Sequence, residues 1–213
     1  MENKQIDERE IRRDFSSEIA PEREIRRDFS AEITPDREND TRNLIDDFKG
    51  LSVEEVREKL NQNRSKFHVA IENFQHDFNI GTIARNANAF NAAGIHIIGK
   101  RHWNRRGAMK TEIYMNVFHH KTVEEFADWA RKNSLRLIAI DNQKGAENLS
   151  ETDLPENSIL VFGNESEGLS AEMLAACEKM VAIEQFGSTR SVNVGVASGI
   201  LMYEFVRRNN FMK

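Results

Sequence analysis

Residues 161–170 read Val161-Phe-Gly-Asn-Glu-Ser-Glu-Gly-Leu-Ser170, an apolar strand that runs into a turn with two glycines and two acids. The glycines allow the backbone to turn tightly and to approach a ligand, and Ser170 is suited to cap the next helix. Open α/β proteins build their ligand sites where strands end and helices begin. The stretch therefore predicts a site at the end of a buried strand, while Glu165 and Glu167 taken alone are equally compatible with simple loop acids.

A second stretch, residues 79–94, has the same character and begins with Asn79. At 100° per residue, Arg85 falls opposite the apolar stripe of the predicted helix and therefore faces water, a partner or a site. Taken alone, Asn79 is explained by a helix cap and Arg85 by a solvated surface arginine. The stripe that we expect to be buried consists of Ile80, Ile83, Ala84, Ala87 and Phe90.

The third stretch, residues 187–199, places Ser191 and Asn193 just before a helix that is apolar almost all round. This pattern predicts a buried helix, with an Asn193 amide that requires hydrogen-bond partners. Gly195 and Gly199 form a Gly-x-x-x-Gly pair, which in a chain without a long apolar run indicates close helix packing and not a membrane signal.

From Phe67 onward, strand-like and helical segments alternate. Several of the strands are apolar on both sides of the pleat, as expected for a parallel sheet covered on both faces. We therefore predict an α/β fold with a parallel sheet of five or six strands. Neither a Gly-x-Gly-x-x-Gly after the first strand nor a Gly-Lys-Ser loop is present, which disfavours dinucleotide and nucleoside triphosphate chemistry. The predicted strands are residues 67–72, 95–99, 116–120, 135–141, 159–163 and 180–185, and the helices are 79–93, 122–132, 170–179 and 192–208.

The N-terminal part differs in composition. Residues 1–65 hold 13 Lys or Arg against 18 Asp or Glu, so the whole net charge of -5 belongs to them. A tandem repeat, Arg9–Glu22 and then Arg23–Asp36, has few apolar groups, which favours a mobile acidic tail over short amphipathic helices. We divide the chain into three parts. These are an acidic repeat-containing tail at 1–50, a helix at 51–66 that docks on the main domain and opens with a Ser52/Glu55 capping box, and the main α/β domain at 67–213.

Cysteine content and targeting signals limit the location of the protein. Cys177 is the single cysteine, so no intramolecular disulfide forms. The N-terminus carries no apolar run of the length that a signal peptide or a membrane span requires. We expect a cytoplasmic protein with no membrane partner and no DNA partner.

A basic patch lies between residues 96 and 110, where Lys100, Arg101, Arg105, Arg106 and Lys110 occur without an acid and are interleaved with His96, His102 and Trp103. One interpretation is a solvated loop. The other is a surface that contacts phosphates and offers an aromatic ring for stacking on a base.

Together, the three stretches resemble a known family. Asn79-x-Gly81-x3-Arg85, Gly163-Asn-Glu165-Ser-Glu-Gly168 and Ser191-Val-Asn193-Val are similar to motifs one, two and three of the SpoU or TrmH-like RNA ribose methyltransferases of the SPOUT superfamily. The resemblance covers residues 67–208. It implies a C-terminal trefoil knot, a homodimer, S-adenosylmethionine as the cofactor with no metal, and a ribose 2'-hydroxyl of tRNA or rRNA as the methyl acceptor.

The resemblance also implies roles for single residues. Arg85 matches the catalytic arginine and Asn79 lies beside it, while Glu165, Ser191 and Asn193 match the remaining catalytic positions. The residues whose backbone corresponds to the cofactor cradle are Ile140, Gly163, Ile183, Ser191 and Val192. A guanidinium is effectively always protonated, so we expect Arg85 to orient the ribose and to stabilise the developing alkoxide, not to act as the base.

Two positions depart from the family pattern. Asn91 stands where a glycine is usual, and Ile183-Glu-Gln-Phe replaces the common Ile-Pro-Met, which places Glu184 beside the expected cofactor pocket. Two alternatives remain open at this point: an inactive knotted protein that binds RNA or the cofactor in ribosome assembly, and a SPOUT enzyme that methylates a base.

Overall fold

The computed structural model describes residues 34–74, 79–164 and 167–209 of the chain. Within them, a seven-stranded sheet has the order β3-β2-β1-β6-β4-β7-β5, and every neighbouring pair is parallel. The predicted parallel α/β sheet is confirmed, but it has seven strands, one more than the six predicted ranges. The additional strand is the two-residue β5, which is too short for a hydrophobic period to reveal. The strands are β1 (His68–Asn73), β2 (Gly94–Gly99), β3 (Val117–His120), β4 (Arg136–Ile140), β5 (Glu147–Asn148), β6 (Ser158–Phe162) and β7 (Lys179–Ala182).

The described residues contain five α-helices, and four of them cover the sheet. Burial assigns α2 and α5 to one face of the sheet, and α3 and α4 to the other. Strands β1 and β6 are buried at every position, which agrees with the prediction of a sheet covered on both sides. The helices are α1 (Val53–Asn61), α2 (Ile80–Ala89), α3 (Val123–Lys132), α4 (Ala171–Ala176) and α5 (Val194–Arg208).

Capping side chains fix where several helices begin. Ser52 accepts a hydrogen bond from the Glu55 amide, and the Glu55 carboxylate accepts one from the Ser52 amide, so the predicted capping box is present. Ser170 caps α4 through the Met173 amide, as predicted. Each of these contacts satisfies an amide that has no partner inside its helix.

The end of α2 differs from the prediction. The helix ends at Ala89, four residues earlier than expected, and the residue that turns the chain away is Asn91, with a φ of 50°. The amides of Asn91 and Ala92 donate to the carbonyls of Asn88 and Ala87, the pattern of a Schellman motif. Asparagine tolerates this left-handed conformation better than other side chains, which explains how it replaces the family's usual glycine.

Residues 34–66 pack on the outside of the domain. Val53 and Val56 of α1 and the ring of Tyr114 form a small buried cluster. The guanidinium of Arg42 pairs with the buried Asp40, which holds the pKa of that carboxyl far below its usual range. Arg64, mostly buried, donates to the backbone carbonyls of Ala92 and Tyr114 and so joins α1 to the end of α2. The repeats fall almost entirely in residues 1–33, outside the described part of the chain.

Within the described residues, no helix combines the length and apolar character that crossing a bilayer requires.

Candidate active site

A cavity of about 980 Å³ lies at the carboxyl edge of the sheet. Its walls are the segments that follow β4, β6 and β7, together with the residues that lead into α5. This edge is where open α/β sheets hold their ligands. The structure brings together all five residues predicted for the cofactor cradle, and all of them line this cavity: Ile140, Gly163, Ile183, Ser191 and Val192.

The turn after β6 forms one wall of the cavity. Asn164 and Gly168 exchange two backbone hydrogen bonds, of 3.1 and 3.0 Å. A Cβ atom on Gly163 would lie 2.2 Å from the carbonyl carbon of Gly168, so the close approach requires glycine at position 163. The Asp141 carboxylate, at the end of β4, accepts a hydrogen bond of 3.1 Å from the Leu169 amide and holds the turn against the neighbouring strand.

Asn193 joins the third motif to the first. Its side-chain oxygen accepts hydrogen bonds from the amides of Gly195 and Val196 and so caps α5. Its side-chain amide donates to the side-chain oxygen of Asn79, 3.2 Å away. Asn79 occupies the N-cap position of α2, as the capping interpretation expects, but its side chain makes no cap hydrogen bond there.

The two motif-bearing helices pack against each other. A Cβ on Gly195 would lie 3.0 Å from the Thr82 side chain, and one on Gly199 would lie 3.3 Å from the Asn86 amide nitrogen. Asn86 donates to the Gly195 carbonyl and to the Ser198 hydroxyl, both at 2.9 Å. Close packing by the Gly-x-x-x-Gly pair is confirmed.

The prediction that α5 is buried all round is wrong for a single chain. Only the sides that contact the sheet and α2 are covered, because α5 belongs to an outer layer of the fold. Its remaining side presents an apolar stripe at helical spacing to solvent, formed by Val196, Ile200 and Tyr203.

Arg85 is exposed on α2, opposite the buried residues Ile80, Ile83, Ala84 and Ala87, as the helical period predicts. Its side chain does not line the cavity of the single chain. Glu165, the predicted motif-two acid, lies outside the described residues.

The departure at Glu184 does not obstruct the cavity. The carboxylate of Glu184 accepts hydrogen bonds from the amide and the hydroxyl of Ser150, which lower its pKa, while the neighbouring Ile183 and Gln185 line the cavity. On the other side, the Asn142 amide donates to the Arg190 carbonyl over 2.8 Å. The loop that joins β7 to α5 is therefore anchored near both of its ends.

Sequence reasoning missed Glu72 as a support of the site. This buried carboxylate accepts hydrogen bonds from the Ser170 amide at 2.7 Å and the Ser170 hydroxyl at 2.6 Å, and so ties β1 to the start of α4. An acid at the end of an otherwise apolar strand is the signal that identifies such a residue. Asp141 and Asn142 were missed as well, although both directly follow β4.

The basic patch lies against the first motif. Backbone atoms of Gly107 and Ala108 lie within 2.9 Å of the position that a Cβ on Gly81 would occupy, so the loop and α2 are in direct contact. Arg105 is half-buried, and the other four cations of the patch are exposed: Lys100, Arg101, Arg106 and Lys110.

Two rings of the patch are not available to a base. Trp103 is only 7% exposed, with the Arg105 guanidinium over its ring, so the prediction that it offers a stacking surface is wrong. His96 is fully buried within β2 because both faces of this strand are covered.

His96 is instead the centre of a buried chain of histidines. One of its ring nitrogens lies 3.0 Å from His68 and the other 2.9 Å from His120, across three adjacent strands. Burial lowers the pKa of His68 to about 4, with a further contribution from Arg64. Burial lowers the pKa of His120 to about 4 and that of His96 well below its ordinary value. The three rings are neutral at physiological pH.

Comparison with known proteins gives the class to which this site belongs. The SpoU rRNA methylase family matches residues 66–203. The chain is therefore a member of the SpoU rRNA methylase family.

Three individual proteins illustrate the similarity. The chain is 26% identical over 162 residues to the tRNA (guanosine(18)-2'-O)-methyltransferase of Aquifex aeolicus, covering 73% of this chain and 76% of that one. The structure is similar to the SpoU methyltransferase AviRb of Streptomyces viridochromogenes in complex with AdoMet, with a TM-score of 0.62 and 26% identity. That match covers 69% of this chain and 59% of AviRb. The TrmH/SpoU tRNA modifying enzyme of A. aeolicus shares the fold, with a TM-score of 0.65 at 23% identity, over 75% of this chain and 83% of that one.

Proposed function

We propose that this protein transfers a methyl group from S-adenosylmethionine to a ribose 2'-hydroxyl of tRNA or rRNA. The observation that carries the proposal is the Asn79–Asn193 hydrogen bond, because it joins the first and third motifs beside a cavity at the carboxyl edge of the sheet. Membership of the SpoU rRNA methylase family supports the reaction class.

The cavity fits the proposed cofactor. Apolar side chains of Ile140, Ile183 and Val192 offer surfaces for a flat adenine, and Asp141 and Asn142 offer polar groups for a ribose or an amino acid. The close approach of Gly163 to Gly168 leaves backbone, not side chain, at one wall. When bound, S-adenosylmethionine supplies the electrophilic methyl group. The residues of this chain that would hold it are the five predicted cradle residues.

The acceptor hydroxyl is only weakly acidic, so the protein must align it and stabilise the charge that develops as its proton leaves. Arg85 is suited to this role because its guanidinium stays protonated and offers several donors in a fixed geometry. We assign to Arg85 the orientation of the ribose and the stabilisation of the alkoxide, with Asn79, Glu165, Ser191 and Asn193 completing the catalytic group.

RNA contact is assigned to the basic patch. Its five cations, Lys100, Arg101, Arg105, Arg106 and Lys110, lie on a loop that touches the α2 backbone at Gly81, one turn before Arg85. Phosphates bound there would pass close to the first motif. Such contacts are electrostatic, so we expect RNA affinity to fall steeply as the salt concentration rises.

Two further features complete the proposal. We expect a trefoil knot in the C-terminal segment, supported by the way the loops after β4, β6 and β7 and the chain before α5 surround one cavity. We also expect a homodimer through the exposed stripe of Val196, Ile200 and Tyr203, because a second copy would cover this apolar surface. We assign the activity to the cytoplasm.

The proposal is tested by label transfer from methyl-labelled S-adenosylmethionine into small and ribosomal RNA from cells that lack this activity, followed by alkaline hydrolysis. A 2'-O-methyl group removes the nucleophile that cleaves the chain in alkali, so label is expected in alkali-resistant dinucleotides. Arg85→Ala is expected to abolish transfer and Arg85→Lys to reduce it strongly. Lys132→Ala, an exposed cation on α3, is the matched control and should transfer normally.

Each outcome has a defined meaning. Label in mononucleotides would assign the chain to base methylation. Cofactor binding without transfer to any RNA fraction would favour the inactive binding protein. An Arg85→Lys variant that keeps most of the activity would refute the assigned role of the arginine in orienting the ribose.

A further inference from the structure

Phe186 is the most exposed large apolar side chain in the described part of the molecule, at 97%. A phenyl ring that is open to water gains no hydrophobic stabilisation from the folding of the chain, so it is free to contact another molecule. The ring belongs to the loop between β7 and α5, and this loop carries the Ser191 and Asn193 positions of the proposed active site.

The loop presents this ring at the rim of the cavity. Gln185 and Arg190, which flank the exposed tip, both line the cavity. Residues 185–191 are all exposed, and a Cβ on Gly187 would find no other atom within 4 Å, so the tip stands clear of the protein.

The tip is nevertheless held in position. Before the tip, the Glu184 carboxylate accepts a hydrogen bond from the Ser150 amide. After the tip, the Arg190 carbonyl accepts one from the Asn142 side chain. Phe186 therefore lies between two anchored positions, next to Gln185, which lines the cavity.

The chemistry around the ring selects the kind of occupant. The residues that follow it are Gly187, Ser188, Thr189 and Arg190, which make a polar surface with one cation. An exposed aromatic ring with an arginine in the same loop is a combination with which proteins stack unpaired bases and contact the adjoining phosphate. By contrast, Val196, Ile200 and Tyr203 form a continuous helical stripe, which suits a second helix.

We propose that Phe186 is a stacking platform for a nucleobase of the RNA, at or next to the nucleotide whose ribose is methylated, with Arg190 on the flanking phosphate. The inference rests on the proposed function, since it places the acceptor at this cavity. The loop then has a role in substrate recognition that is separate from cofactor binding. Phe186 supplies the stacking surface that the buried Trp103 cannot offer.

The test compares Phe186→Trp, Phe186→Leu and Phe186→Ala, with the RNA fraction that accepts label as substrate. Stacking needs an aromatic face, so the Ala and Leu variants are expected to raise the KM for RNA at least about fivefold, while the Trp variant stays near wild type. The affinity for S-adenosylhomocysteine, the thermal stability and the sedimentation coefficient are expected to stay unchanged in all three.

A second readout does not depend on methyl transfer. A short single-stranded RNA oligonucleotide of mixed sequence is expected to quench the tryptophan fluorescence of the Phe186→Trp variant. The wild-type protein is expected to show less quenching, because its Trp103 is buried and its Trp129 is half-buried. If RNA quenches this fluorescence but the protein transfers no methyl group, base stacking on position 186 stands and the proposed function fails.

Other results would overturn the inference. A Leu variant with the wild-type KM would show that any apolar side chain suffices, and a change in sedimentation with the Ala variant would assign the ring to contact between protein copies. An Ala variant with unchanged KM, or a Trp variant that RNA does not quench, would exclude stacking directly.

Discussion

The side chains of Asn79 and Asn193 are joined by a hydrogen bond of 3.2 Å, although the residues lie 114 positions apart. Asn193 also caps α5 with its side-chain oxygen, while the side chain of Asn79 makes no cap hydrogen bond at the start of α2. The Asn193 side chain thus caps a helix and also connects the first and third motifs.

This asymmetry predicts different outcomes for Asn79→Ala and Asn193→Ala. Both remove the shared hydrogen bond, so both should slow methyl transfer about threefold to tenfold. Only Asn193→Ala also removes a helix cap, so it should lower the free energy of unfolding by about 1 kcal/mol, while Asn79→Ala stays within about 0.5 kcal/mol of wild type. Urea denaturation and initial rates measure the two effects. Equal losses of stability in the two variants would contradict the assignment.

Gly163→Ala should damage both stability and cofactor binding. The added methyl would lie 2.2 Å from the carbonyl carbon of Gly168, and relief of that overlap should cost about 1–3 kcal/mol of unfolding free energy. Because the displaced turn lines the cavity, the affinity for S-adenosylhomocysteine should fall at least about tenfold by calorimetry. Gly187→Ala, where the methyl meets open space, is the control for stability. A stable Gly163→Ala protein with normal affinity for S-adenosylhomocysteine would show that Gly163 and Gly168 do not approach each other this closely.

Local sequence was enough to predict features that depend on period or on nearest neighbours. The exposure of Arg85 follows from the spacing of its apolar neighbours, and the Ser52–Glu55 capping box involves residues three apart. The residues that line the cavity were predicted through the family resemblance. They come together through contacts between distant segments, which local sequence patterns do not indicate.

The features that were missed depend on contacts between distant segments. The bond from Ser170 to Glu72 spans 98 residues, and no local pattern indicates which strand an acid will support. The burial of Trp103 and the exposed stripe of α5 are likewise decided by what packs against them. The conformation of Asn91 is a local feature that was overlooked because the nearby Gly94 offers a more usual helix end.

Asn91 allows a direct test of backbone strain. Asn91→Gly and Asn91→Ala remove the same side-chain bonds to Asn63 and Arg64, but only alanine must hold a φ of 50° with a Cβ atom. The glycine variant should therefore be more stable than the alanine variant by about 1–2 kcal/mol, as measured by urea denaturation. Equal stability would mean that the chain adopts another conformation at this helix end.

The buried histidine chain should make the protein sensitive to acid. The pKa of His68 and of His120 is lowered to about 4 in the folded protein, so the unfolded chain binds more protons as the pH falls below about 6.5. Stability is therefore complete above that pH and is lost as the pH falls toward 4, by roughly 2–3 kcal/mol for each histidine at about pH 4.5.

His120→Gln tests this directly, because a glutamine amide can replace the ring nitrogen that bonds to His96 and takes up no proton in this range. The difference in unfolding free energy between about pH 7 and pH 4.5 should shrink by roughly 2–3 kcal/mol relative to wild type. Since both proteins carry the same carboxylates, this difference isolates the histidine. His102→Gln, on the exposed loop, controls for loss of a surface histidine. An unchanged pH profile in His120→Gln would show that the chain takes up its proton elsewhere.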